Sequence, residues 1–151
     1  MMRRAIATLL LVIAGCTPID FEYADGAAGR YSDWRGRWVY VNYWAEWCAP
    51  CRYEIPQLNT FRQSVGGHRA IVVGVNFDGV DGAALEALMK RMKIEFPVMT
   101  TDPRKRFGYE MPSVLPTTIV IDPNGKVAAT LVGPQTEGTL RAVMDANAAP
   151  T

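Results

Sequence analysis

The feature that most constrains this chain is the run Trp-Ala-Glu-Trp-Cys-Ala-Pro-Cys at residues 44–51. Aromatic and β-branched residues at 38–44 lead into it, and they predict a strand buried on both faces. An apolar stripe at helical spacing follows from Cys48 to about Val65, which predicts a helix. The two cysteines therefore lie where a strand passes into a helix, and two cysteines so spaced at a helix start can form a disulfide.

The helix start favours thiolate chemistry in this pair. A helix N-terminus carries a partial positive charge and unpaired backbone N–H groups, and in such settings the pKa of a cysteine falls from about 8.5 to roughly 3.5–7.5. We expect Cys48, at the helix end, to be the exposed nucleophile, and Cys51, one turn inside, to be the resolving thiol. Pro50 stiffens the turn and removes a backbone donor that would lack a partner there.

Two other uses of the pair are possible. Structural zinc takes four Cys or His ligands, and only His68 and Cys16 are left to complete such a set. A purely structural disulfide would close so short a loop that it would remove little entropy from the unfolded chain. The sequence therefore favours a redox-active Cys48–Cys51 disulfide, with no metal and no other cofactor.

The remaining periodic segments predict the fold class. Strands are expected at residues 70–75, 117–121 and 126–132, and Asp81 and Thr136 are placed to cap two further helices. The order is strand, helix, strand, helix, hairpin and helix, which gives parallel strands with crossover helices and an antiparallel hairpin. We expect an α/β fold with a central mixed β-sheet and helices on both faces.

Composition narrows the range of partners. The chain has 151 residues, enough for one domain, and a formal net charge of +1 with no basic run or acidic tail. This balance argues against nucleic acid as a partner. A domain of this length buries enough surface to fold without disulfides, so the three cysteines need a functional explanation.

The first residues predict export. A basic start precedes an uncharged apolar run at 5–14, which is too short to span a bilayer and is typical of a signal peptide covering residues 1–15. The run ends in Ile-Ala-Gly-Cys, which resembles the bacterial lipobox and implies cleavage before Cys16 and acylation of that cysteine. Its alternatives are an ordinary cleaved signal and a buried thiol. Residues 16–30 are predicted to be a tether, and 31–148 the folded domain.

Three motifs together resemble the thioredoxin superfamily, and within it the TlpA/ResA/CcmG-like membrane-tethered branch. They are the Trp-Ala-Glu-Trp-Cys-Ala-Pro-Cys run, Pro56 five residues after the second cysteine, and Leu115-Pro116-Thr117 before a strand. The likeness covers about residues 31–144. It implies a thioredoxin-like fold, a kink at Pro56 and a cis Leu115–Pro116 bond facing the disulfide. The substrate-binding residues implied are Trp47, Ala49, Pro50, Leu115 and Pro116.

The acidic residue near the cysteine pair occupies a different sequence position from that in the cytosolic thioredoxins. Those proteins carry a buried aspartate six residues before the first cysteine, where this chain has Asn42. In the tethered branch, a glutamate three residues after the second cysteine is a recurring active-site acid, and Glu54 matches it. The resemblance implies that Glu54 is catalytic, exchanging protons with the pair, and partial burial would raise its pKa. Alternatively, Glu54 is a solvated residue whose only role is a favourable interaction between its negative charge and the positive N-terminal end of the helix dipole.

The resemblance also implies a setting and partners. The expected enzyme is a lipid-anchored thiol–disulfide oxidoreductase on the periplasmic side of a bacterial membrane, where the prevailing state is oxidised. We expect a monomer that reduces protein disulfides, for example in cytochrome c maturation. A membrane thiol carrier of the DsbD/CcdA type would return it to the reduced state.

Other functions on the same fold are weighed against this one. The first is a dithiol oxidase, because the two residues between the cysteines do not decide the direction. The second is a copper-transfer protein, since thiolates favour Cu(I), but the copper-delivering relatives use a wider cysteine spacing and a partner histidine. A thiol peroxidase is disfavoured by Ala45, where peroxiredoxins carry Thr or Ser. An isomerase would need a dimerisation domain, for which there is no room.

Overall fold

Aromatic and β-branched runs form the centre of a mixed five-stranded sheet in the computed structural model, which describes residues 18–147. In chain order the strands and helices are β1 (Phe21–Glu22), β2 (Ala28–Gly29), a 3₁₀ turn (Tyr31–Trp34), β3 (Trp38–Trp44), α1 (Ala49–Val65), β4 (Ala70–Asn76), α2 (Gly82–Met92), β5 (Val98–Met99), α3 (Arg104–Phe107), β6 (Thr117–Ile121), β7 (Val127–Val132) and α4 (Glu137–Ala146).

The sheet confirms the predicted topology. Its strand order is β5-β4-β3-β6-β7, with β3, β4 and β5 parallel and with β6 and β7 antiparallel to their neighbours. β3 is central, and Tyr43 near its end is paired with Thr117 at the start of β6. The carboxyl end of β3 and the amino end of β6 therefore meet at one edge of the sheet.

Two apolar layers cover the sheet, because successive side chains of a strand point to opposite faces. Tyr40 and Trp44 face the layer beneath α1, α2 and α4, which also contains Cys48 and Cys51. Val41 and Tyr43 face the other layer, where the 3₁₀ turn and α3 pack. Helices therefore lie on both faces, as predicted.

The segment predicted to be a tether is part of the fold from the first β-strand onwards. Phe21 is 3% exposed, and its ring lies 5.0 Å from that of Trp34, centroid to centroid. The amide of Ala24 donates to the carbonyl of Val98 at 2.8 Å, which joins the hairpin to β5. The predicted domain boundary at residue 31 is therefore wrong. Strands of two residues carry no periodicity that a sequence could reveal.

Other local expectations had mixed outcomes. Thr136 caps α4, accepting from the amide of Thr139 at 3.2 Å. Asp81 precedes α2, but its side chain makes no capping hydrogen bond. Pro56 lies inside α1 as predicted, whereas β5 and α3 were not predicted. Among residues 18–147, no helix combines the length and apolarity that crossing a bilayer requires, and the predictions for residues 1–17, including Cys16, lie outside the described chain.

Candidate active site

The two predicted redox cysteines form a disulfide at the start of α1. Their sulfurs are 2.06 Å apart and their Cα atoms 5.4 Å apart. Cys48 is the N-cap residue, and its Sγ accepts a hydrogen bond of 3.2 Å from the amide of Cys51. The helix N-terminus thus directs a backbone donor at the first sulfur. The same donor would stabilise a Cys48 thiolate after reduction.

Cys48 is more exposed than Cys51, as predicted, but the difference between them is small. Cys51 is 0% exposed and Cys48 only 3%. Cys48 is therefore less exposed than predicted, because in the disulfide form it packs into the apolar layer with Trp44 and Ala45. Ala49 and Pro50, between the cysteines, are exposed.

An exposed aromatic residue precedes the disulfide. Trp47 is 65% exposed, and its indole N–H donates to both carboxylate oxygens of Asp78, at 3.0 and 3.2 Å. Its ring meets that of Phe77 edge-on, with centroids 6.3 Å apart. The Asp78 carboxylate holds the indole at the surface. Asp78 lies just after β4, at the edge of the sheet where β3 also ends.

The predicted proline loop lies at the same edge of the sheet. The Leu115–Pro116 bond is cis, as the resemblance implied, and Pro116 immediately precedes Thr117, the residue paired with Tyr43 near the end of β3. The carbonyl of Pro116 accepts from the amide of Gly133 at 2.9 Å. Leu115 packs against the apolar layer that contains both cysteines.

Glu54 lies beneath the surface on the face of α1 that also carries Cys51. It is 1% exposed, so the alternative of a solvated glutamate is wrong. One carboxylate oxygen, Oε2, accepts from the side-chain amide of Asn42 at 2.7 Å. The other, Oε1, accepts from the backbone amide of Gln135 at 3.2 Å and from the hydroxyl of Thr118 at 3.5 Å.

Burial and hydrogen bonding act on this carboxyl in opposite directions. Burial raises the pKa of Glu54 to about 7, and the hydrogen bonds from Asn42, Gln135 and Thr118 keep it from rising further. A carboxyl with such a pKa can both accept and release a proton near neutral pH. The raised pKa agrees with the direction predicted from the sequence. Thr118 and Gln135 were not predicted, because they come from distant segments.

A metal site is not evident in the described part of the chain. Between residues 18 and 147, no three His, Cys, Asp or Glu side chains are grouped closely enough to hold an ion. His68 is exposed in the loop before β4, at the opposite end of β4 from the disulfide. The Cys48–Cys51 disulfide and the Glu54 carboxyl, whose pKa is raised, can support thiol–disulfide exchange coupled to proton transfer.

Comparison with known proteins agrees with this chemistry. The model of the AhpC/TSA family matches residues 15–130. Among curated proteins, the thiol-disulfide oxidoreductase ResA of Bacillus subtilis is 33% identical over 125 residues, a match that covers 82% of this chain and 69% of that protein.

Two solved structures are similar over nearly their whole length. A DsbF homologue from Corynebacterium diphtheriae has a TM-score of 0.70 and 25% identity, covering 93% of this chain and 99% of that one. The exposed lipoprotein thioredoxin of Streptococcus pneumoniae has a TM-score of 0.66 and 25% identity, covering 83% and 96% respectively.

Proposed function

The chain belongs to the AhpC/TSA family and is a thiol–disulfide oxidoreductase of thioredoxin-like fold, and from this premise we propose that it reduces disulfides of exported proteins. The observation that carries the proposal is the buried Glu54 carboxyl on the helix face of Cys51, beneath a disulfide at the helix start. That arrangement can supply and remove the proton of the second thiol near neutral pH.

The reaction begins with the reduced pair. The Cys48 thiolate attacks one sulfur of a substrate disulfide, which forms a mixed disulfide and releases one substrate sulfur as a thiolate that takes up a proton. The Cys51 thiol then loses its proton and attacks the Cys48 sulfur, which releases the second substrate thiol. The substrate gains two electrons and two protons, and the Cys48–Cys51 disulfide of the present structure is the product.

Glu54 is the proposed proton acceptor for Cys51. Residues three apart on a helix share a face, so the Glu54 carboxyl lies on the side of α1 that carries Cys51, and a proton can pass between them directly or through one water. An ionised Glu54 also disfavours a neighbouring thiolate and so raises the pKa of the thiols. A less stable thiolate makes the dithiol a stronger reductant, so the buried carboxyl favours reduction of substrates over oxidation.

The proposed substrate surface is the rim around the disulfide. It would consist of the exposed residues Trp47, Ala49 and Pro50, together with half-buried Leu115 and buried Pro116 in the loop beside them, and it suits an extended protein segment. The proposed substrate class is apocytochrome c with its cysteine pair oxidised to a disulfide, which the reaction converts to the two thiols. A membrane thiol carrier of the DsbD/CcdA type is the proposed electron donor. The enzyme is proposed to act as a monomer, with the cysteine pair as its only redox group.

The redox potential tests the direction of the reaction. We expect a value nearer to about −270 mV, typical of thioredoxin, than to about −120 mV, typical of the oxidant DsbA. The measurement is equilibration of the Cys48–Cys51 pair against dithiothreitol and glutathione buffers, followed by alkylation of free thiols. A potential above about −160 mV would instead identify a dithiol oxidase.

Anchoring is proposed through a lipid on Cys16. The lipobox-like run supports it, and the similar pneumococcal structure is described as that of an exposed lipoprotein. We expect metabolic labelling with palmitate to mark the protein, and Cys16→Ser to abolish the label and release the domain from the membrane fraction. Cys48→Ser is the matched control and should keep the label. Unlabelled wild-type protein in the soluble periplasm would contradict the anchor.

A further inference from the structure

A second polar site lies at the end of the sheet opposite to the disulfide. There a cavity of about 490 Å³ opens between the β1–β2 hairpin, the 3₁₀ turn and the start of β4. Phe21 and Trp34 are among the buried apolar residues that line it. Three arginines, Arg30, Arg37 and Arg62, line it as well. The cavity therefore combines an apolar wall with a concentration of positive charge.

Most of this positive charge is not neutralised. Arg30 is paired with the Asp33 carboxylate at 3.0 Å. Arg37 is half-buried, and its guanidinium donates to the main-chain carbonyls of Gly67, at 2.8 Å, and of Asp33, which are neutral partners. Arg62 is exposed on α1 and has no ion pair within residues 18–147. Two guanidinium charges thus remain available for an anion, and guanidinium geometry suits phosphate.

The position of the cavity relates it to the proposed anchor. Phe21 follows Cys16 by five residues, so at most about 18 Å of extended chain separates them. Ile19, between them, is 62% exposed. The disulfide follows the other end of β3, and a strand of that length spans about 20 Å. A lipid on Cys16 would therefore keep the cavity near the headgroups, with the disulfide farther from them.

We propose that this cavity binds the phosphate of an anionic phospholipid headgroup and seats the domain on the membrane that holds its anchor. Arg37 and Arg62 contact the phosphate at the mouth of the cavity. Exposed Ile19 adds apolar contact at the interface. Two charges give a weak, reversible contact with the membrane. While the contact lasts, the disulfide faces exported substrates, and when the contact dissociates, the tethered domain can reorient its disulfide towards a membrane donor. The proposal rests on the proposed anchor at Cys16 but not on the direction of the redox reaction.

The test measures lipid preference in the chain without its predicted signal peptide, residues 16–151, with Cys16→Ser, so that neither the apolar leader nor acyl chains contribute. Sedimentation with phosphatidylglycerol vesicles should exceed sedimentation with phosphatidylcholine vesicles, and the excess should disappear at high salt because surface charges are screened. Arg62→Glu should reduce the excess by about tenfold. Lys90→Glu, at an exposed lysine on α2, makes the same charge change away from the cavity and should leave most of the excess.

Two results would overturn the proposal. One is an equal loss of the excess in Arg62→Glu and Lys90→Glu, because that would indicate general surface charge. The other is the absence of any preference for phosphatidylglycerol vesicles. If free glycerol 3-phosphate, added as a soluble probe, then still shifted the amide resonance of Gly67, the cavity would be a site for soluble phosphate and not for a lipid. Arg62→Glu should reduce a soluble test disulfide at the wild-type rate. A failed anchor would be recognised separately, by the palmitate label.

Discussion

Cys51→Ala is expected to convert the enzyme from a catalyst into a trap for its substrates. In this variant Cys48 can still attack a substrate disulfide, but no second thiol is available to release the mixed disulfide. The backbone amide of residue 51, which donates to the Cys48 sulfur at 3.2 Å, is retained. Stabilisation of the Cys48 thiolate therefore survives the substitution, and turnover should fall on the order of a thousandfold.

The choice of alanine matters because Cys51 is 0% exposed. A serine would place a hydroxyl at this buried position, and a buried hydroxyl without a hydrogen-bond partner costs about 1–3 kcal/mol of stability, whereas alanine introduces no polar group. Alanine leaves only a small void. The measurement is non-reducing electrophoresis of membranes from cells that express the variant, with turnover measured on a soluble disulfide.

The matched control for the trap is Cys48→Ser, which removes the attacking sulfur. It should be as inactive as Cys51→Ala in turnover, yet it should accumulate no mixed disulfides. If Cys48→Ser formed the adducts and Cys51→Ala did not, the attacking and resolving roles would be reversed. The comparison is sharp because both variants lose the same native disulfide, so any difference between them reports which sulfur attacks.

The centre of the sheet was predictable because its signal is local. β3 and β6 begin and end at the predicted residues, Trp38–Trp44 and Thr117–Ile121, since continuous aromatic and β-branched runs are typical of strands buried on both faces. The cap of α4 at Thr136 was predictable for a similar reason. The hairpin at Phe21 was not, because its stability comes from aromatic contacts with the 3₁₀ turn rather than from its own pattern.

The site shows the same division between local and distant information. Three residues along a helix separate Cys51 from Glu54, and helix geometry alone places them on one face. The partners of Glu54 cannot be read in this way, because Thr118 and Gln135 lie 64 and 81 residues away along the chain. Their contacts depend on the register of β6 against β3 and on the loop that follows β7. A sequence pattern specifies neither of these.

Glu54→Gln is expected to remove a pH dependence from both stability and catalysis. In the folded chain the pKa of Glu54 is about 7, against an ordinary value of 4.5. Between these values the folded state binds more protons than the unfolded state, so the free energy of unfolding falls as pH rises. The difference between the two pKa values corresponds to a fall of up to about 3 kcal/mol in the free energy of unfolding between pH 5 and pH 8. The Glu54→Gln variant should not show this fall.

The substitution should be tolerated by its surroundings. The side-chain oxygen Oδ1 of Asn42 is buried and has no hydrogen-bond partner among the described residues. A glutamine amide at position 54 can donate to that oxygen once the Asn42 amide rotates, and the Thr118 hydroxyl, which now accepts from Asn42 at 3.0 Å, can then donate to the same oxygen. The glutamine's own oxygen still accepts from the Gln135 amide. Urea unfolding of the oxidised proteins at several pH values measures the effect. Glu86→Gln, at an exposed position on α2, is the matched control and should follow the wild-type curve.

The catalytic consequence follows from the same proton. Without a negative charge at position 54, the thiol pKa values should fall, and the Cys51 thiol should lose its proton acceptor. We therefore expect Glu54→Gln to reduce a test disulfide more slowly near neutral pH, by roughly 10²-fold if Glu54 acts as a general base. The inflection near pH 7 in the rate profile should also disappear. Alkylation rates against pH measure the thiols directly. An unchanged thiol titration with an unchanged rate profile would contradict a role for Glu54 in proton transfer, and a flattened stability curve alone would then reflect only its burial.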